Sequence, residues 1–191
     1  MKRKKQTNQR RQSRSKKPAK RSNGGLRSLR SLFVEELRDL YDAEHQLVKT
    51  LPKIAATVSS PELKQAITSH LEETRGHVKR LELVFADIGE PARATHCDGM
   101  EGLLAEGRKM MGKDGEEAVL DAGIISAAQR VEHYEVAGYG CARRYATRLD
   151  YSNAAELLGE TLEEEKNADA KLTEVSDALD LGGKFEGQEA A

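Results

Sequence analysis

The chain carries one helical pattern twice, and the pattern has carboxylates where a core should be apolar. Leu63, Ala66, His70, Glu73, His77, Leu81, Val84 and Ile88 follow one another at steps of three or four residues, so they share one face of a helix. At an offset of 91, Ala154, Leu157, Thr161, Glu164, Ala168, Leu172, Val175 and Leu179 repeat those steps, with Glu164 falling on Glu73. The preceding segments correspond at an offset of 88. Phe33, Leu37, Leu40, Glu44, Leu47, Leu51, Ile54 and Val58 form the first stripe; Ile125, Ala128, Glu132, Glu135, Tyr139, Ala142 and Ala146 form the second. Glu44-His45 matches Glu132-His133. The chain is therefore read as all-α, a duplicated pair of helices with one glutamate near the middle of each inner face.

Punctuation sets the boundaries. The first helix is expected from Leu26 to Val58, disturbed at Pro52, which has no amide to donate. Ser60 and Pro61 are an N-cap and first-turn proline, and the second helix should end before Gly89 and Pro91. Residues 92–115 connect the pairs, with a short helix expected from Met100 to Met111. The third long helix is placed at Glu116–Leu149 and the fourth at Asn153–Leu179. Short loops within each pair make its helices antiparallel, and the long connection crosses the bundle. Residues 26–181 form one domain on this reading, flanked by tails at residues 1–25 and 182–191.

Composition supports helices. With 4% aromatic residues and no tryptophan, the core must come from Leu, Ile, Val and Ala. Net charge is −1, but eleven of the 31 lysines and arginines lie in residues 1–25, which hold no acid. The remainder carries 20 basic residues against 32 acidic ones, a net of −12. The basic segment reads as a disordered tail suited to loose, salt-sensitive contact with nucleic acid, or as a solvated tail with no dedicated partner. Cys97 and Cys141 lack metal-knuckle spacing and are too few for a disulfide framework, so they read as reduced thiols. No apolar run approaches the roughly 20 residues that span a bilayer, so a cytoplasmic location without membrane contact is expected.

Glu44, Glu73, Glu132 and Glu164 should lie at one height and face one another. Such like charges need a counter-charge, and two iron or manganese ions supply it, since carboxylates with imidazole suit those metals. His77 offers a nitrogen one turn beyond Glu73. Glu135 lies on the stripe, and Asp169 stands beside Ala168, where the second copy lacks a histidine; each is a further candidate ligand. Glu165 shares the face of Asp169, one step off the stripe, and is left open. Glu72 and Glu163 read as solvent-facing, His45 and His133 as supports, and Tyr41, Tyr134 and Tyr139 as mostly packing, with a hydroxyl near the metal pair able to hydrogen-bond a ligand. Any one of these glutamates alone would more often be half-exposed or salt-bridged; four at repeat-related positions argue for shared metal.

Four segments carry a resemblance: Leu40-Tyr41-Asp42-Ala43-Glu44, His70-Leu71-Glu72-Glu73-Thr74, the run Ala127 to Glu135 containing Val-Glu-His-Tyr-Glu, and Thr161 to Lys166. Over about residues 27–180 the chain resembles the YciF-like stress-protein family of the ferritin-like superfamily. The resemblance implies a ferritin-like four-helix bundle, commonly a homodimer, with a dinuclear iron site and a link to stress responses. It implies no defined reaction. The wider superfamily spaces Glu and His by three residues, whereas Glu73 and His77 are four apart. The leading expectation is a di-iron or dimanganese carboxylate protein reacting with iron, oxygen or peroxide, peroxidase-like or ferroxidase-like if it is an enzyme. The alternatives are a basic-tailed helical oligomer on nucleic acid, and a bundle whose polar centre is a hydrogen-bond network.

Overall fold

The computed structural model describes residues 26–181; the two expected tails lie outside them. The helices, in order, are α1 (Leu29–Thr57), α2 (Pro61–Asp87), α3 (Asp98–Met111), α4 (Glu117–Arg148) and α5 (Ser152–Ala178), and no strand occurs among the described residues. The four long helices form a bundle. α1 packs on α2, α4 packs on α5, and the two pairs meet through α2 with α5 and α1 with α4. The short α3 lies within the crossover, against α4 and α1.

Local chemistry explains the ends. Ser60 Oγ accepts from the Leu63 amide at 3.1 Å, with Pro61 beginning the helix. At the other end of α2, Gly89 has φ +69°, and the Glu90 amide reaches back to the Phe85 carbonyl at 2.9 Å. That reversal is one a glycine makes without strain. Pro52 does not break α1, which stays helical to Thr57. The proline is exposed, so water can serve the carbonyl it leaves without a partner.

A contact the sequence did not announce ties the pairs together. The Asp121 side chain, buried on α4, accepts from the Ser59 amide at 3.1 Å and the Ser60 amide at 2.7 Å. It thereby fixes the α1–α2 turn against the other pair. Asp121→Ala is expected to cost about 2 kcal/mol, because it removes charge-assisted bonds and strands turn amides. Urea unfolding checks this; a loss below roughly 0.5 kcal/mol, the range of an ordinary surface substitution, would contradict it.

The core comes in two apolar halves. One holds Phe33, Leu37, Leu40, Leu81, Phe85, Ala142 and Leu158; the other holds Leu47, Leu51, Leu63, Ile67, Ile125, Met100 and Leu172. On every long helix the sequence passes from one half to the other through a polar interval: Glu44 on α1, His70 to His77 on α2, Glu132 to Glu135 on α4, and Glu165 on α5. The polar layer is thus held at mid-bundle by apolar packing above and below.

Candidate metal centre

Six ionisable side chains converge in that layer. Glu44 and Glu165 are 0% exposed, His77 1%, Glu132 3%, Glu135 0% and His70 7%. They fall into two overlapping groups whose potential ligand atoms lie within 4.8 Å of one another: Glu44, His77 and Glu165; and His70, Glu132, Glu135 and Glu165. Glu165 belongs to both. His77 Nδ1 stands 3.0 Å from Glu165 and 3.4 Å from Glu44, while His70 Nε2 stands 3.5 Å from Glu132 and 3.9 Å from Glu165.

Close approach has not produced hydrogen bonds. Oxygens of Glu44, Glu132, Glu135 and Glu165, both nitrogens of His70 and Nδ1 of His77 are buried without a hydrogen-bond partner. Of all such buried side-chain atoms among the described residues, only Arg38 Nε lies elsewhere. Stranding this many polar atoms in one place would cost several kcal/mol unless something else satisfied them.

Residues 28–180 match a family model described as a domain of unknown function, DUF892. Protein YciF of Escherichia coli strain K12 is 41% identical over 152 residues, covering 79% of this chain and 92% of that protein. The chain belongs to the YciF-like family. The crystal structure of the E. coli stress protein YciF superposes with a TM-score of 0.78 at 40% identity, covering 80% of this chain and 96% of that one. YcfI of Rhodopseudomonas palustris gives 0.77 at 37% identity, covering 79% and 96%.

In this YciF-like bundle, Glu44, His77, Glu132 and Glu135 come together, but Glu73, Glu164 and Asp169 do not. Glu73 is half-exposed and touches the cluster only through His70 Nδ1, at 3.5 Å. Asp169 sits near the surface, accepting from Gln129 and lying 3.2 Å from His133. Glu164 lies behind His77: it meets His77 Nε2 at 2.9 Å and accepts two bonds from Arg80, at 2.6 and 3.0 Å. The expected ring of Glu44, Glu73, Glu132 and Glu164 is therefore not what the bundle builds. His70 and Glu165, absent from the expected set, complete the cluster.

The cause is a shift of one position on each outer helix. α2 buries Leu63, Ile67, His70, Thr74, His77 and Leu81, and α5 buries Ala154, Leu158, Thr161, Glu165 and Leu172. Both faces advance by alternating four and three, as does the face through Ala66 and Glu73. On α2 Ile67 outweighs Ala66 for the core, and burying it turns Thr74 inward. On α5 Leu157 and Leu158 are equal in bulk, and the helix buries Leu158 with Glu165 two turns beyond it.

Neighbours aim the cluster. Tyr139, fully buried, donates its hydroxyl to Glu44 Oε1 and leaves Oε2 free. A proton on His77 Nε2 goes to Glu164, whose charge Arg80 balances, and that turns Nδ1 toward Glu44 and Glu165. Burial alone would lower the two histidines, but adjoining carboxylates prevail: Glu165 and Glu44 raise His77 to about 11, and the Glu132 charge raises His70 to about 9. Burial pushes the carboxyls up, Glu132 to about 8, Glu44 above its ordinary value and Glu135 far above. The cluster holds protons where a cation would serve.

The two cysteines are free. Cys97 caps α3 and meets the Tyr134 hydroxyl, which donates to Asp39 at 2.7 Å. Tyr134 thus fastens the crossover to α1 rather than simply filling space. No described helix is long and apolar enough to cross a membrane.

Proposed function

We propose that this protein is a dinuclear metal–carboxylate protein of ferritin-like type, with two iron or manganese ions in the mid-bundle layer. The observation carrying this reading is the convergence of orphaned buried oxygens and nitrogens from four helices. Glu44 and His77 would hold one ion, His70, Glu132 and Glu135 the other, and Glu165 would serve both. Four carboxylates balance two divalent cations, removing the repulsion that otherwise forces protons into the layer. The donor set of oxygens and imidazole, without thiolate, suits iron or manganese over copper(I) or structural zinc.

Such a metal pair supplies one- or two-electron chemistry with dioxygen or peroxide, the sort of reaction useful under oxidative stress. The chain's own residues pack apolar side chains above and below the site, orient His77 through Glu164 and Arg80, and hold Glu44 through Tyr139. Anaerobic titration with iron(II) should end at two ions per chain, followed by a change in the optical spectrum on exposure to oxygen or peroxide. Elemental analysis finding no metal after such loading would overturn the reading.

A further inference from the structure

The two ends of the cluster differ in access. At the His77 end, Glu164, Arg80 and Glu160 are linked by ion pairs across the ring, and His77 is 1% exposed. At the His70 end a cleft of about 380 Å³ runs in between α2, α4 and α5. His70 and Glu132 form part of its lining, and both His70 nitrogens and Glu132 Oε2 lack hydrogen-bond partners.

The duplication explains why the cleft is there. Ala128 and Ala168 line it, and their counterparts in the other copy are Leu40 and His77. A leucine in the first copy fills the core, and a histidine lies against Glu44 and Glu165. Small side chains at both positions in the second copy leave space beside His70 and Glu132.

Resting on the dinuclear reading above, we infer that this cleft is the binding site for the reacting molecule, and that the molecule is small and uncharged, of dioxygen or hydroperoxide size. It meets the metal pair at the His70 end, in the space Ala168 leaves. Charge argues against an anion: with the four cluster carboxylates balanced by the two divalent ions, the rest of the cleft carries Glu62 and Glu73 against Lys171. At the His77 end the Arg80–Glu164 and Arg80–Glu160 ion pairs stand across the approach.

The test uses the full chain loaded anaerobically with iron(II) and titrated with nitric oxide, a small uncharged probe, and with formate, an anion of similar size. Ala168→His places in the second copy the side chain that the first has at His77; Ala168→Leu adds bulk without a donor atom; Ala168→Ser keeps the space. Absorbance reads probe binding, elemental analysis reads iron, and circular dichroism confirms folding. The expected result is nitric oxide bound at least tenfold more weakly by the first two variants, unchanged binding by Ala168→Ser, and weaker binding of formate by the parent. The leucine variant covers a disturbance of iron loading by the added histidine. A parent with two irons whose nitric oxide affinity is unchanged in both the histidine and leucine variants overturns the inference. A parent that takes up no iron overturns the dinuclear reading instead.

Discussion

Replacing Glu165 by leucine is expected to abolish binding of both metal ions and, in the same experiment, to lower the melting temperature of the metal-free protein without unfolding it. Among the described residues Glu165 is the one side chain common to the two candidate ligand groups. Its carboxylate is fully buried, with neither oxygen hydrogen-bonded. Taking it away removes a donor from each ion, which should weaken both by about 10³-fold or more if each lost bond is worth several kcal/mol. Without metal the same carboxylate adds repulsion to Glu44, Glu132 and Glu135 but also pairs with His77 at 3.0 Å. Losing one partner of a buried pair costs up to about 3–5 kcal/mol, and the cost is reduced here because Glu44 and Glu164 remain beside His77. Glu44→Leu should weaken chiefly the ion beside His77. Metal content by elemental analysis and melting temperature with and without manganese(II) separate these effects. Retention of one ion at parental affinity by the Glu165 variant would contradict a shared carboxylate.

How much of this was legible beforehand depended on which signal was being read. The duplicated stripes and the stop-and-start at Ser59-Ser60-Pro61 placed the long helices within three residues of their observed ends, because period and cap chemistry are local. Glu44 lies on an unambiguous face, with Leu40 four before and Leu47 three after; Glu132 is framed by Ile125 and Tyr139, seven residues to either side. α2 and α5 are different. Each contains adjacent residues that satisfy the same alternation, Glu73 beside Thr74 and Glu164 beside Glu165. On α2 the bulk of Ile67 over Ala66 makes the choice, whereas on α5 the competing Leu157 and Leu158 are equal and only the packing of the other helices decides. Because the copies match, the same slip entered both, and internal agreement between them could not reveal it. His70 was visible on the stripe, but its role depends on Glu132 and Glu165 arriving from two other helices, which no local pattern encodes. Asp121 escaped notice for the same reason: its partners lie about 60 residues away.

The separation between the melting temperatures of metal-loaded and metal-free protein is expected to widen as pH rises from 6 to 8. In the metal-free bundle His77 is raised to about 11, His70 to about 9 and Glu132 to about 8. Groups raised on folding bind more protons in the folded chain than in the unfolded one, so their stabilising contribution is complete below the unfolded pKa and is lost as pH climbs toward the folded value. For Glu132 that loss spans the ordinary carboxyl range up to about 8, and for His70 it spans the ordinary imidazole range up to about 9. Metal-free stability therefore declines between pH 6 and 8. Binding a divalent cation works the other way, since the ligands must release those protons first and each release strengthens binding by about 1.4 kcal/mol, or tenfold, per pH unit. The decline is common to both samples and cancels in the difference, which follows the strengthening of binding alone. Scanning calorimetry with manganese(II), which avoids oxidation during heating, reads that difference directly. A gap that stays flat or narrows over this range would mean that the cation does not displace the cluster's protons, and hence that it does not occupy the layer formed by His70, His77 and the four buried glutamates.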